Sequence, residues 1–262
     1  MNNPENRQTG RKKPAPPITS FRLFTNEEPI DKTFDFKEGA VFLIDKPKSW
    51  SSFRAVGLVR KLIGIKKVGH AGTLDPMATG LLILCCGKAT KSIDQVQGQP
   101  KTYRATIQLG SSTVSYDAET EANESASFEH VNIEGIKTTI NDNFLGEIEQ
   151  EPPMYSAIWH KGERLYHIAR RGETVERKKR NVNIYRFEVV FYSKSGGIIA
   201  DIECSKGTYI RSLAHDLGKK LGTFGHLTAL RRTQIGIFSV DKSITMEKLV
   251  TDFDQHGKID LS

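Results

Sequence analysis

Cysteine is scarce in the 262-residue sequence: there are three, Cys85, Cys86 and Cys204, two of them adjacent and all in or beside apolar, strand-like runs. An odd set placed this way argues against a disulfide framework, and no Cys-x-x-Cys pair accompanies histidines in the spacing of a structural zinc site. The three read as reduced interior residues of a cytosolic protein. Long apolar runs are lacking as well. None approaches the ~20 residues that span a bilayer, which excludes a transmembrane chain, and residues 1–20 lack the apolar stretch of a secretory signal. Acidic residues are the minority charge, 31 against 38 Lys and Arg, for a net charge of +7. A surplus of this sign suits a polyanion such as nucleic acid, and a merely soluble, self-repelling surface has the same composition.

The length allows one large domain, or one domain plus a small appendage. Residues 1–37 are polar and proline-rich, with "KKPAPP" in their middle, and predict a flexible basic N-terminal arm. From residue 38 the pattern changes to that of a folded domain running to residue 262. "VFLIDKP" is a short strand stopped by Pro47, after which Ser51 or Ser52 caps a helix carrying Phe53, Val56, Leu62 and Ile63 on one side. "GLLILCCG" reads as a buried strand and "TYRATIQLG" as a half-exposed one, and "IYRFEVVFY" with "GIIADIECS" forms a hairpin turning at Gly196-Gly197. Between Thr208 and Leu221, Ile210, Leu213, Ala214, Leu217 and Leu221 recur at helical spacing and define a core face. The expected class is mixed α/β (α+β), a mixed sheet flanked by helices.

Two segments depart from that pattern. Residues 111–130 are polar and acidic and predict a surface hairpin or loop. Residues 160–180 interleave Lys161, Arg164, Arg170, Arg171, Arg177, Lys178, Lys179 and Arg180 with Tyr166 and His167. Cations among aromatics suit RNA phosphates and bases, and a solvated helix would read alike.

The richest stretch is "GHAGTLDPMATGLL", residues 69–82, too broken by glycine to be one helix or strand. Asp75-Pro76 is either a chemically active carboxylate on a loop or a helix start, with Asp75 as N-cap and Pro76 at the first position. His70 is likewise either catalytic or structural, and no further ligands stand near it to make a zinc site. The glycines match neither a phosphate-binding loop nor a dinucleotide fingerprint.

This stretch resembles, over its whole length, the catalytic motif of the TruB family of pseudouridine synthases. Further blocks follow in that family's order: "LIDKP" at 43–47 with Ser51 and Ser52, "KTYRATIQLG" at 101–110, "PPMYSAIWHKGERLYHIARRG" at 152–172, "CSKGTYIRSLAHDLGKKLG" at 204–222, and "HLTALRR" at 226–232. The resemblance covers residues 38 to about 250. It implies the pseudouridine synthase fold, with a central mixed, largely antiparallel sheet flanked by helices, and a cofactor-free, metal-free isomerisation of the T-loop uridine of tRNA, position 55, in the cytoplasm by a monomer. It also implies roles for individual residues. Asp75 is the catalytic carboxylate, Tyr103 stacks on the target base and is the candidate for proton transfer at C5, and Arg211 pairs with Asp75. Arg211 follows Ile210 by one residue, which turns it about 100° off the helix's core face. Tyr209 and Leu230 match contacts to a flipped uridine, Lys46 a wall lysine, and His70 a contact to rearranged RNA. Residues 152–180 match an RNA-binding insertion. Only about thirty residues follow "LRR", so no separate C-terminal RNA-binding domain is expected. Two rival readings are a non-catalytic RNA-binding or tRNA-folding protein, and a metal-dependent nucleic-acid hydrolase. The second lacks clustered carboxylates or histidines in the sequence.

Overall fold

A computed structural model describes residues 14–253. In chain order its strands are β1 (Arg22–Phe24), β2 (Ala40–Lys46), β3 (Val68–His70), β4 (Thr79–Cys86), β5 (Lys101–Leu109), β6 (Ser111–Thr113), β7 (Ala122–Ser125), β8 (Gly146–Gln150), β9 (Trp159–His160), β10 (Glu163–Arg164), β11 (Arg180–Tyr192), β12 (Gly197–Cys204), β13 (Gly225–Ile235), β14 (Phe238–Ser239) and β15 (Ile244–Thr245). The helices are α1 (Ser52–Ile63), α2 (Ile93–Gly98), α3 (Ile133–Asn143), α4 (Leu165–Arg170), α5 (Ile210–Lys220) and α6 (Met246–Phe253).

Eleven strands form one sheet in the order β1-β2-β4-β13-β5-β12-β11-β8, with β3, β14 and β15 joining at its sides. Pairing is antiparallel except for β1–β2, β4–β13 and β2–β15, so the sheet is mixed and largely antiparallel, as expected. The apolarity of β4 is continuous because both its faces are covered. Leu82, Leu84 and Cys86 point into the main core with Phe42 and Val59, while Leu81, Ile83 and Cys85 join Val41, Leu43 and Ile235 on the other side. β5 alternates instead, burying Tyr103, Ala105, Ile107 and Leu109. The three cysteines are free and buried.

Helix α1 starts at Ser51, whose hydroxyl accepts from the Arg54 N–H at 3.0 Å, and stops at left-handed Gly64. Its inward face is Ser52, Ala55, Val56 and Val59; Phe53, expected on that face, is 75% exposed because it falls one step round the helix from Ser52. Helix α5 buries Ile210, Leu213, Ala214 and Leu217 as its spacing predicts. A side chain at Gly218 would lie 2.2 Å from the Gly225 nitrogen, so only glycine lets α5 lie this close to β13. Trimming fully buried Leu213 to alanine costs about 2–5 kcal/mol.

The expected flexible arm is corrected over the described part of residues 1–37; residues 1–13 lie outside the described residues. Arg22–Phe24 pairs in parallel with Ala40–Phe42, and Phe24 stacks on Phe42 at 4.9 Å and meets Phe36 at 5.6 Å. Four apolar residues, Phe24, Ile30, Phe34 and Phe36, anchor the segment without any regular spacing, so no periodic pattern marks it. Residues 111–130 contain the expected hairpin, β6–β7, and yet Ser115 and Asp117 within it are buried. Residues 159–170 form the β9–β10 hairpin and short α4 over a small core of Met154, Leu165, Ile168 and Ala169.

Candidate active site

Asp75 sits on the loop between β3 and β4, and side chains from three distant parts of the chain fix that loop. Arg232 on β13 donates from Nε to the Leu81 carbonyl at 2.8 Å, and from its two terminal nitrogens to Thr73 at 3.3 Å and Gly72 at 3.1 Å. Ser52, at the start of α1, accepts from the Leu74 N–H at 2.9 Å and donates to the Leu74 carbonyl at 3.1 Å. Lys46, at the end of β2, donates to the carbonyls of Pro47, Trp50 and Pro76 at 2.9, 2.7 and 3.4 Å. The Ala78 N–H closes a turn onto the Asp75 carbonyl at 3.1 Å, so Asp75 opens a turn and not a helix, which removes the helix-cap reading.

Arg211 reaches this loop from the first turn of α5. Its Nε donates to Asp75 Oδ2 at 2.9 Å, and its terminal nitrogens donate to the carbonyls of Ser115 at 3.0 Å and Tyr155 at 2.9 Å. The same Nε lies 3.5 Å from Oδ2 of Asp117. The Arg211 side chain is 4% exposed and that of Asp117 1%, whereas Asp75 keeps 34% of its side chain open. Asp117 is itself held by the Ser115 hydroxyl at 2.6 Å and the Glu119 N–H at 3.0 Å. A planar guanidinium is the group that can serve all these acceptors at once without flexing.

Asp75, Tyr103, Tyr209, Arg211 and Leu230 line one cavity of about 580 Å³, which also takes in Lys101, Arg180, Lys206 and Arg232. The structure thus brings together five of the seven residues singled out in the sequence. Tyr103 is 9% exposed, and burial raises its phenol above the usual tyrosine range. The Tyr209 backbone is bracketed by Gln150, which donates to its carbonyl at 3.0 Å and accepts from its N–H at 2.8 Å. The Arg180 guanidinium lies 4.4 Å from the Tyr209 ring centre. Burial pushes the Lys101 ammonium down to about 8.

The other two do not line the cavity. Lys46 is fully buried beneath the loop and pushed down to about 8 by that burial, with the Asp75 charge opposing; its contacts make it a support of the loop where a wall residue was expected. His70 stands at the end of β3, edge-on to Phe53 at 6.2 Å, and its pKa is lowered by burial and by Arg232. Among the described residues, no three His, Cys, Asp or Glu side chains are grouped to hold a metal ion, and no helix is long and apolar enough to cross a membrane.

Asp117 and Arg232, which brace the site, escaped sequence reasoning, as did Lys101 and Lys206 on the cavity wall. Asp117 lies in a stretch whose other carboxylates are solvated, and its only local mark is the pair of hydroxyl residues, Ser115 and Thr120, around it. Arg232 was legible in principle, because it sits two residues from Leu230 on the same strand. The basic segment also divides. Arg177 pairs with Glu151 and Arg180 covers Tyr209, whereas Lys178 and Lys179 are exposed, Lys179 lying a loose 3.9 Å from the solvated Glu149.

Residues 60–210 match the model of the TruB family pseudouridylate synthase N-terminal domain, and residues 211–258 match that of the tRNA pseudouridylate synthase B C-terminal domain. The chain is 48% identical over 217 residues to tRNA pseudouridine synthase B of Flavobacterium johnsoniae, covering 80% of this chain and 94% of that one. It is 43% identical over 227 residues to the enzyme of the same name from Phocaeicola vulgatus, covering 84% and 96%. Among solved structures it resembles a chain of a Cbf5-Nop10-Gar1 complex with a TM-score of 0.64 at 28% identity, over 87% of this chain and 58% of that one. An H/ACA RNP bound to a substrate RNA containing 2'-deoxyuridine gives a TM-score of 0.61 at 25% identity, over 87% and 61%.

Proposed function

Since this chain belongs to the TruB family of tRNA pseudouridine synthases, we propose that its target is uridine 55 in the T-loop of tRNA and that Asp75 is the catalytic nucleophile. The observation that carries this reading is the Asp75–Arg211 pair, 2.9 Å long, on the wall of a cavity shared with Tyr103, Tyr209 and Leu230. The uridine leaves its stack to enter, at a cost of a few kcal/mol that stacking on Tyr103 and contacts to Tyr209 and Leu230 offset.

The Asp75 carboxylate then attacks C1' of the ribose, and the bond from C1' to N1 breaks with its electron pair staying on the base. The detached base turns until C5 faces C1'. A bond forms between C5 and C1' as the carboxylate leaves. Loss of the C5 proton restores the ring, and N1 takes up a proton, so no external oxidant, reductant or energy source is needed. Tyr103, on the cavity wall, takes the C5 proton in this reading. Its buried, neutral phenol can pass a proton onward and cannot store a second one, and the regained conjugation of the ring lets so weak a base suffice.

Residues 152–180 serve as an RNA-binding insertion on a single catalytic unit that includes the strand Arg22–Phe24, and Lys178 and Lys179 offer their charges to phosphate. Action as a monomer in the cytoplasm, where its tRNA substrate is found, completes this reading. His70, outside the cavity, is left to meet RNA around the flipped nucleotide. A non-catalytic RNA binder would gain nothing from a carboxylate facing phosphates. The test is tritium release from a T-arm transcript carrying 5-tritiated uridine only at position 55. Release in step with pseudouridine formation is expected; conversion at a different uridine, with position 55 untouched, overturns the assignment.

A further inference from the structure

We propose that Trp159 is a stacking platform for an unpaired base of the RNA substrate, beside the nucleotide that enters the cavity; this rests on the pseudouridine synthase reading above. Trp159 is 61% exposed, an unusual state for the largest apolar side chain. A solitary exposed aromatic needs no explanation when it is mobile. This one is held. It pairs across the β9–β10 hairpin with Arg164, whose guanidinium lies 4.2 Å from the indole centre and also donates to the Ala157 carbonyl.

The hairpin itself is closed by a tight turn and anchored at its base. Lys161 and Gly162, with φ of 46° and 90°, form the two-residue turn that matches strand twist. Ile158 packs on the small core of the insertion, and the N–H groups of Leu165 and Tyr166 are bonded to the carbonyls of Ile158 at 2.9 Å and Ser156 at 3.0 Å. An aromatic ring fixed in advance, with one face on a cation and much of its surface in solvent, loses little entropy when a second flat group covers it.

Location and charge select the ligand. Ser156 and Ala157 line the cavity that holds Asp75, and Trp159 follows Ala157 by two residues, at most about 7 Å of chain and comparable to one step along a single RNA strand. Arg164 sets a positive charge against the ring, and Arg170 and Lys161 add positive charge to the same insertion, while the neighbouring carboxylate of Glu163 is occupied by Arg171. A base on a polyanionic strand fits both features, since every base offers a π face and stacking on protein aromatics tolerates sequence.

The sequence contains two tryptophans, and the other, Trp50, is 8% exposed with Arg54 across its ring, so exposed indole fluorescence belongs to Trp159. The experiment compares full-length wild type, Trp159→Phe and Trp159→Ala with a T-arm stem-loop RNA. Iodide quenching is measured free and bound, dissociation constants across a salt series, and tritium release in parallel. Expected are a severalfold loss of iodide access on binding in wild type but not in the variants, and affinity weakened roughly 5- to 100-fold in Trp159→Ala. The slope of log affinity against log salt stays unchanged, and Trp159→Phe recovers part of the affinity. Trp159→Ala binding within twofold of wild type, or iodide access unchanged in the complex, overturns the proposal. Were wild type to bind the stem-loop without releasing tritium, the functional reading would fall while the quenching result still judged the platform.

Discussion

Asp75 and Asp117 share one guanidinium: Arg211 Nε lies 2.9 Å from the first carboxylate and 3.5 Å from the second. The open member of the pair lines the cavity, and the buried one lies behind the arginine. Substituting Arg211 with lysine keeps a charge but removes the fork that holds Asp75, Ser115 and Tyr155 together. Single-turnover rates are expected to fall at least about 100-fold while tRNA affinity stays within about tenfold, or ~1.4 kcal/mol. Arg211→Ala should additionally lower stability by about 3–5 kcal/mol by stranding Asp117, which urea unfolding would measure.

Tyr103→Phe keeps the ring and removes the hydroxyl. If that oxygen handles the C5 proton, turnover drops about 100-fold or more with little change in binding. Filter binding and single-turnover tritium release on the same preparations separate the two. Equal decreases in both would make Tyr103 a binding residue only.

His215 gives a pH-dependent prediction for stability. It is buried on α5, stacked 3.8 Å from Tyr116, and burial pushes its pKa from 6.5 down to about 4. The unfolded chain takes up this proton near pH 6.5 and the folded chain only near 4, so unfolding consumes a proton between those values and stability falls with falling pH. The full contribution, present above the unfolded-state pKa, is on the order of 3 kcal/mol. His215→Phe retains the stack and removes the titration. Urea midpoints measured from about pH 7 to 4 should decline less steeply in the variant.

The basic run 177–180 is predicted to divide by role. Lys178→Ala with Lys179→Ala should weaken binding to all tRNAs alike and flatten the salt dependence by roughly 0.9 unit of slope for each duplex phosphate that is no longer neutralised. Arg177→Ala breaks the pair with Glu151 and should lower the melting temperature instead. An unchanged slope in the lysine double variant would mark those charges as ordinary solvated surface.

What could be read from the sequence follows the range of the interactions. The start of α1 at one of two serines, Ser51 or Ser52, the buried face of α5 and the burial of β4 follow from local pattern, and each was legible; which serine caps the helix was not. Phe53 failed because a short amphipathic run admits two adjacent faces, and Ser52, a polar residue bonded to Leu74, belongs to the inward one. The anchoring of Phe24 and Phe36 failed because packing on Phe42 obeys no period. Within the site, the resemblance brought Asp75, Tyr103, Tyr209, Arg211 and Leu230 to one cavity. It did not convey that Lys46 supports the loop from behind or that Asp117 is buried. Both depend on which carbonyls and charges surround the side chain after folding.

The central claim, that the Asp75 carboxylate itself carries the reaction, is tested most directly with Asp75→Asn. This change replaces one oxygen by nitrogen and leaves the cavity's shape almost intact. Tritium release from 5-tritiated uridine 55 should be abolished under single-turnover conditions, with tRNA affinity within about tenfold of wild type. Release by Asp75→Asn at a rate near that of wild type would contradict the account.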